Sequence, residues 1–289
     1  MTDQSLQTRL REHLHELPIL PAVVIRLLQL DREDERYADM VIETIETEPN
    51  FATRVLAAAN SASSSPASPI KTIAAAITRI GASPAVNLVV STGVTKVFVP
   101  RDAWDKSLWR HALQVASAAR AISLHTIGTK VHPEEAYLAG LLHDVGRFIM
   151  FQEAPELLRR IDDGTWDSPE ELTEMEATIC GLNHAELGAI ACHQWSIPDP
   201  VLQVVLHHHD RKIQNQPGMT SIVQFADLAM FPSARPDTPE YGETERETVL
   251  KELHLKLPPN VNLNQTQLND LITTVTDDAE SLSRAIGLD

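Results

Sequence analysis

The sequence is poor in the residues that mark several classes of protein. Its two cysteines, Cys180 and Cys192, are too few for a disulfide scaffold, and we expect both to be reduced core residues. Glycine occurs 11 times and aromatic residues make up 4%, a balance that favours helices over a sandwich or barrel of strands. No apolar run reaches the roughly 18 residues that a membrane-spanning helix needs. Residues 1–11 are polar and contain no signal-peptide core.

Positive charge is also scarce. The chain has 24 Lys+Arg against 40 Asp+Glu, a formal net charge of −16, and no block of basic residues. Because non-specific binding to nucleic acid depends on cations that displace condensed counterions, we expect no nucleic-acid partner. The same charge disfavours an anionic membrane surface. With 289 residues, of which 43% are hydrophobic, the chain can bury a core. We therefore expect a soluble, cytoplasmic protein of bacterial type.

Proline and glycine mark the ends of a series of predicted helices. One predicted helix is capped by Ser83 and Pro84 and runs towards Phe98, one extends from Pro133 to about Phe151, and one extends from Ser168 to Gly181. Gly81 ends another helix, Ile73–Ile80. The remaining predicted helices are Tyr37–Glu46, Phe51–Ala59, Leu108–Ile122, His184–Trp195, Pro200–His209, Ser221–Met230 and Asn264–Ile286. Residues 61–69 and 231–245 have the composition of loops. No strand and no internal repeat is recognisable, so the predicted fold class is all-α.

Histidines concentrate around a block of apolar predicted helices, at His111, His143, His184, His193 and residues 207–209. A single histidine on such a face is usually a hydrogen-bonded core residue, whereas several beside an embedded aspartate indicate a metal site. The segment Ala-Gly-Leu-Leu-His-Asp-Val-Gly-Arg, residues 139–147, surrounds Asp144 with apolar residues. A buried carboxylate is costly unless a cation or hydrogen-bond donors compensate it. Imidazole and carboxylate together are common ligands of divalent transition metals.

The His143–Asp144 doublet is similar to the one that names the HD superfamily of metal-dependent phosphohydrolases. Longer segments resemble the HDOD family of that superfamily, in order, over roughly residues 12–230: Leu17–Pro21, Glu48–Leu56, Ala59–Ala62, Ala75–Ile77, Leu108–His111, Gly140–Arg147, Asn183–Ala189, Trp195–Pro198 and His208–His209. The resemblance implies a multi-helical fold in which an N-terminal half, residues 12–105, packs on an HD-like core, residues 106–230. Residues 231–289 would form a loop and a C-terminal helical tail.

The resemblance also implies a function. HDOD proteins are generally regarded as signalling modules that have lost the hydrolase activity of the wider superfamily. We therefore expect a stand-alone regulatory protein of bacterial signal transduction, with weak or no catalysis. It would act by binding a signalling protein partner or a small phosphorylated ligand, through the cleft between its two helical halves.

The resemblance further implies a set of site residues. His111, His143, Asp144 and Asp227 match the ligands of one divalent ion in HD enzymes. His184, His208 and His209 match the positions that hold a second ion in the HD-GYP enzymes. The metal would be Fe, Mn, Ni or Zn, and no organic cofactor is implied. In an active enzyme Asp144 would orient the attacking water, and Arg147, which replaces the typical lysine, would contact a phosphate.

Two alternatives stay open at this point. One is an active metal-dependent phosphohydrolase of nucleotides or cyclic dinucleotides, although Asp210–Lys212 follows the histidine pair where HD-GYP enzymes have a Gly-Tyr-Pro segment. The other is a scaffold in which the histidines and aspartates form only a buried polar network. The spacing of the apolar residues before them favours His208 and His209 over His207 at the site. The oligomeric state is not predictable from the sequence.

Overall fold

The structure is a computed structural model that describes residues 17, 19–61, 69–129, 131–164, 166, 168–211, 216–231 and 243–288. Over these residues the chain forms helices and connecting turns, with one isolated antiparallel bridge between Thr126 and Val261 and no strand. The predicted all-α fold class is therefore confirmed.

The helices vary in length from two turns to six. In chain order they are α1 (Ala22–Leu28), α2 (Tyr37–Glu46), α3 (Pro49–Ala59), α4 (Ile73–Ile80), α5 (Ala82–Val97), α6 (Ala103–Ser123), α7 (Pro133–Leu142), α8 (Val145–Glu153), α9 (Pro155–Asp162), α10 (Pro169–Cys180), α11 (His184–Gln194), α12 (Asp199–His207), α13 (Met219–Met230), α14 (Glu243–Leu255) and α15 (Gln265–Ile286).

Local sequence explains many of the helix ends. The Ser168 hydroxyl caps α10, with Pro169 in the first turn, and Gly181 ends the helix in the left-handed region at φ 84°. Asn264 and Gln267 form a capping box at the start of α15. The predicted bounds of α4 and α10 agree with the structure for this reason, and those of α2 agree although no side chain caps its first turn.

The single helix predicted from Pro133 to Phe151 is wrong. It is divided into α7 and α8 by His143 and Asp144, and Asp144 takes the N-cap position of α8 with φ −98° and ψ 18°. The sequence concealed the break because both helices are buried on all sides, so apolar residues continue through it. His143 and Asp144 therefore occupy a turn and do not follow each other on one helix.

Three smaller predictions also need correction. Helix α5 begins at Ala82, because Gly81, at φ 91°, takes the N-cap position predicted for Ser83. Helix α12 ends at His207, so His208 and His209 lie in the following turn. The loop predicted at 231–245 lies mostly outside the described residues, but residues 243–245 belong to α14. Most of the loop predicted at 61–69 also lies outside them.

The chain divides into two compact units. The smaller unit comprises residues 19–99 and 194–198, and its core contains Val24, Val41 and Phe51. Trp195, predicted to be a core residue, is buried there with its ring 6.3 Å from that of Phe98.

The larger unit contains Leu17 and the described residues of 100–193 and 199–289. Helix α6 is central to it, since α7, α13 and α15 all pack against α6. Trp109 of α6, also predicted to be a core residue, is fully buried and stacks on Phe148 of α8, with ring centroids 4.3 Å apart. The domain boundaries predicted near residues 105 and 230 stay predictions.

Two expectations from the composition can be compared with the structure. Both cysteines are free and buried, and burial raises the pKa of the Cys192 thiol to about 12.

Among the described residues no single helix is long and apolar enough to cross a membrane. Of the described helices, only α4 and α5 taken together pass that test of length and composition, and the pair is bent by 107°.

Candidate metal centre

The larger unit brings all seven predicted metal ligands together. His111 lies on α6, His143 and Asp144 form the turn between α7 and α8, and His184 begins α11. The remaining three are His208 and His209, directly after α12, and Asp227 on α13.

These ligands form two groups. The first contains Asp144, His184, His208 and His209, and the second contains His111, His143 and Asp227. Within each group the candidate ligand atoms lie within 4.8 Å of one another. His207 belongs to neither group, and its backbone oxygen accepts a hydrogen bond from the Gln224 amide. His193 is exposed and lies outside both.

Two glycines of the segment 139–147 allow the helices to approach closely enough to form the cluster. A Cβ atom on Gly140 of α7 would lie 2.8 Å from the Cα of Ala116 on α6. A Cβ atom on Gly146 of α8 would lie 1.9 Å from the backbone oxygen of His184 at the start of α11. Only glycine permits either contact, so these residues place the α7–α8 turn between α6 and α11.

The first group surrounds one oxygen of Asp144. The Asp144 Oδ1 atom is 3.2 Å from His184 Nε2 and 3.6 Å from His208 Nε2. The His184 Nε2 atom is in turn 3.2 Å from His208 Nε2 and 3.0 Å from His209 Nε2. Three imidazole nitrogens and one carboxylate oxygen therefore converge on a small volume.

The second group adjoins the other oxygen of Asp144. Asp227 Oδ1 is 3.0 Å from His111 Nε2 and 3.7 Å from His143 Nε2. Asp144 Oδ2 lies 3.6 Å from His143 Nε2 and 3.9 Å from His111 Nε2. The Asp144 carboxylate thus directs one oxygen to each group, which is the arrangement expected of a bridging ligand.

Hydrogen bonds on the far side of three rings fix which nitrogen faces the cluster. The Nδ1 atom of His143 lies 2.7 Å from the Gly140 carbonyl, and that of His208 lies 2.8 Å from the Val205 carbonyl. The Nδ1 atom of His184 lies 2.5 Å from Glu176 Oε2. Because a carbonyl or carboxylate oxygen only accepts, each Nδ1 carries the proton and donates. Each Nε2 atom therefore faces the cluster, where a metal would take the place of any proton on it.

The charges of the cluster depend on its burial. Burial opposes ionisation of Asp144 and Asp227, but the neighbouring imidazoles outweigh it and hold the pKa of both carboxyls well below the usual range. Burial also opposes protonation of His184, yet Glu176 and Asp144 raise its pKa to about 10. For His209 burial prevails and holds the pKa well below its ordinary value. The cluster therefore offers two carboxylates and at least one neutral imidazole.

The residues fit a divalent transition metal. His143 Nε2 is buried and has no hydrogen-bond partner among the described residues, and His184 Nε2 lies 3.2 Å from His208 Nε2 and 3.0 Å from His209 Nε2. A cation among these atoms would satisfy the orphaned nitrogen. A donor set rich in imidazole suits Fe, Ni or Zn better than Mg or Ca, which prefer oxygen.

Glu176 supports the cluster but was not recognised in the sequence. It is fully buried on α10, and its Oε2 atom accepts hydrogen bonds from both the backbone N–H and the Nδ1–H of His184. A signal was present, because Leu172, Glu176 and Cys180 follow one another at intervals of four residues on the buried face of α10.

Arg147 does not reach into the cluster as a free cation. Its guanidinium is buried, bonds to Asp162 and lies with its Nε atom 3.8 Å from Glu176 Oε1. Burial opposes its charge, but Asp162 and Asp144 raise its pKa above the ordinary value. The predicted contact of Arg147 with a phosphate would require these ion pairs to break.

A cavity of about 470 Å³ opens beside the ligands. His208, His209 and Asp227 form part of its wall. The other lining residues are Ser168, Pro169, Glu170, Arg211, Gln224, Leu228, Phe231 and Lys256. A small molecule in this cavity would contact both groups of ligands, since the lining includes members of each.

Comparisons with known proteins agree with this architecture. A family model of the HDOD domain matches residues 17–211. Among curated proteins, an uncharacterised protein of Treponema pallidum (strain Nichols) is 23% identical over 228 residues. That match includes 78% of this chain, and the chain spans only 44% of the relative's length.

Solved structures share the fold. A proposed phosphohydrolase from Shewanella amazonensis SB2B is 22% identical, with a TM-score of 0.73 over 96% of this chain and 98% of that one. An HDOD domain protein of unknown function from Geobacter sulfurreducens is 21% identical, with a TM-score of 0.71 over 97% and 99%. A proposed signal transduction protein from Marinobacter aquaeolei VT8 is 20% identical, with a TM-score of 0.69 over 96% and 61%. At these identities the likeness shows a common fold.

Proposed function

Since this chain belongs to the HDOD domain family, as its motifs predicted, we propose that it is a regulatory protein that binds a small phosphorylated ligand at a divalent metal centre. One observation carries the proposal. Three imidazole nitrogens converge with Asp144 Oδ1, and hydrogen bonds to the far side of His184 and His208 hold two of them in that orientation. A buried polar network alone would not need several ring nitrogens directed at one point.

The ligand set divides between two ions. Asp144, His184, His208 and His209 would hold one, and His111, His143 and Asp227 would hold the other, with Asp144 shared. Bound divalent ions would supply Lewis acidity towards a phosphate oxygen. Two such ions exceed the charge of the two carboxylates among the ligands, so the loaded site would attract an anion although the chain as a whole is acidic.

The protein's own residues fix the site in place. Glu176 orients His184, and Arg147 joins Glu176 to Asp162 in a buried network behind it. The turn between α7 and α8 holds Asp144 so that its two oxygens face different groups. Rigid ligands and a cavity beside them suit a site that binds a small molecule and transmits the effect of binding to the rest of the protein.

A second candidate function is metal-dependent hydrolysis of a phosphate ester. The complete ligand set and the adjoining cavity favour it, as does the shared fold with a proposed phosphohydrolase. Asp144 would then orient the attacking water. Against this candidate, Arg147 is committed to Asp162, so among the described residues it leaves no guanidinium from the HD motif to neutralise the phosphoryl oxygens.

Metal content provides the first test. We expect plasma mass spectrometry of untagged protein, purified without chelators, to find close to stoichiometric Fe, Mn, Ni or Zn, and the Asp144→Ala variant to lose it. The matched control is Asp163→Ala, which removes an exposed aspartate outside the cluster. Full metal content in Asp144→Ala would overturn the assignment of the ligands.

Turnover separates the two candidates. We expect negligible hydrolysis of bis(4-nitrophenyl) phosphate and of cyclic di-GMP by the protein supplied with Mn or Fe. Turnover that requires the metal and disappears in His143→Ala would replace the regulatory function with the phosphohydrolase.

A further inference from the structure

The cavity beside the ligands contains two cationic side chains that the HD motif does not supply. Arg211 follows the histidine pair closely, and Lys256 lies in the turn directly after α14. Lys256 lies beyond the part of the chain that matches the HDOD model, residues 17–211. The segment that follows the family domain therefore contributes to the wall of the candidate site.

The two cations have different surroundings. The Arg211 Nε atom lies 2.6 Å from Glu170 Oε1, and this largely exposed ion pair offsets part of the charge of the guanidinium. Lys256 is exposed, and no carboxylate of the described residues lies within ion-pair distance of its ammonium group. In a chain with a net charge of −16, a cation without a carboxylate partner on the wall of this cavity is a local exception that favours an anion.

Another part of the same cavity wall is apolar. Pro169, Leu228 and Phe231 present apolar surface, and Phe231 is held edge-on against the Trp166 ring at 5.5 Å. A ligand that fills the cavity would thus place one part against histidines and cations and another part against apolar side chains.

We propose that Lys256, assisted by Arg211, binds the phosphate group of an organic phosphate ester whose apolar part contacts Pro169, Leu228 and Phe231. This inference rests on the proposed function, because the same phosphate would contact the metal centre. It goes further in assigning the anion contact to a residue outside the family domain and in specifying an ester with an apolar group.

The test uses phenyl phosphate and inorganic phosphate as probes, with isothermal titration calorimetry of the full chain loaded with Mn²⁺. We expect Lys256→Ala to weaken phenyl phosphate binding by about fivefold or more, since a charge-assisted contact is lost. Lys256→Arg should retain binding within about twofold, because it keeps the charge. The loss should shrink at high salt.

Two controls keep the result specific. Lys71→Ala removes an exposed lysine from the smaller unit and matches the change in net charge, so it should leave binding unaltered. Metal content should be the same in all variants, because Lys256 is not among the candidate ligands.

The outcomes distinguish the inference from the function on which it rests. Equal affinities of the wild type and Lys256→Ala would overturn the role of Lys256 and leave phosphate binding at the metal centre intact. Inorganic phosphate binding as tightly as phenyl phosphate would overturn the apolar contact. Loaded protein that binds neither probe would overturn both this inference and the proposed phosphate ligand.

Discussion

The two compact units of this chain are both helical, but their interiors differ in chemistry. Among the described residues of the smaller unit, the buried polar side chains are Thr44, Asn87, Ser91 and Thr92, and none is charged. The larger unit buries carboxylates, imidazoles and a guanidinium, among them His143, Asp144, Arg147, Glu176 and His184.

This difference indicates which buried side chains the helical fold needs and which the candidate site needs. The smaller unit demonstrates that helices of this chain can pack around an apolar core alone. Burying charged groups costs free energy even when they are paired, and apolar replacements of equal volume are often as stable. The polar interior of the larger unit is therefore better explained by a ligand than by stability.

The largest expected effect comes from the two tightest glycines, one in each unit. A Cβ atom on Gly146 would meet the backbone of His184 at 1.9 Å, whereas one on Gly93 would meet only the Val24 side chain, at 2.3 Å. We expect Gly146→Ala to cost about 3 kcal/mol or more, because backbone cannot move aside, and Gly93→Ala about 1–3 kcal/mol. Denaturant unfolding measures both. Equal costs would mean that the α8–α11 contact is not as rigid as the geometry implies.

Removal of the metal should affect one unit and spare the other. At a metal concentration of about 100 times the Kd, binding stabilises the folded state by about 2.7 kcal/mol, which a chelator would remove. Hydrogen exchange should then show lost protection in α6–α8 and α11–α13, and little change in α1–α5. Equal loss of protection in both units would show that the metal stabilises both units and not the larger one alone.

Glu176→Gln is expected to weaken the metal centre without removing a ligand. The amide oxygen can accept one of the two bonds from His184, but the negative charge that favours the Nδ1–H tautomer is lost. Substitution of a residue that hydrogen-bonds to a metal ligand typically lowers metal affinity by about 10- to 100-fold. Competition with a metal indicator dye gives the affinity, with Glu186→Gln as an exposed control near the same helix end. Unchanged affinity would reduce Glu176 to a structural role.

The smallest effect tests the apolar unit. The Asn60 side chain bonds to the backbone of Leu56 and to both the N–H and the carbonyl of Ile70. We expect Asn60→Ala to cost about 1 kcal/mol, as for a lost local hydrogen-bond set that is partly exposed to water, and to leave the metal content unchanged. A fall in metal content by plasma mass spectrometry would show that the two units are not energetically independent.

The sequence predicted those features whose causes are local. Gly181 after α10 and Pro169 at its start act within one turn, so the helix bounds followed directly. The break at His143 and Asp144 was missed because burial on all sides removes the periodicity that would have revealed it. The candidate ligands were predicted from a family motif, whereas Glu176 was not, because the acids near it, such as Glu170 and Glu174, resemble a solvated face. Asp162, the ion-pair partner of Arg147, lies on another helix, so no sequence pattern near Arg147 indicates this pair.

The turn between α7 and α8 has a consequence for how the centre would fill. His143 belongs to one ligand group and Asp144 mainly to the other, although they are adjacent in the chain. An ion that displaced this turn from one side would also displace the candidate ligand on the other side. Occupation of one group should therefore change the metal affinity of the other, because both depend on the same peptide.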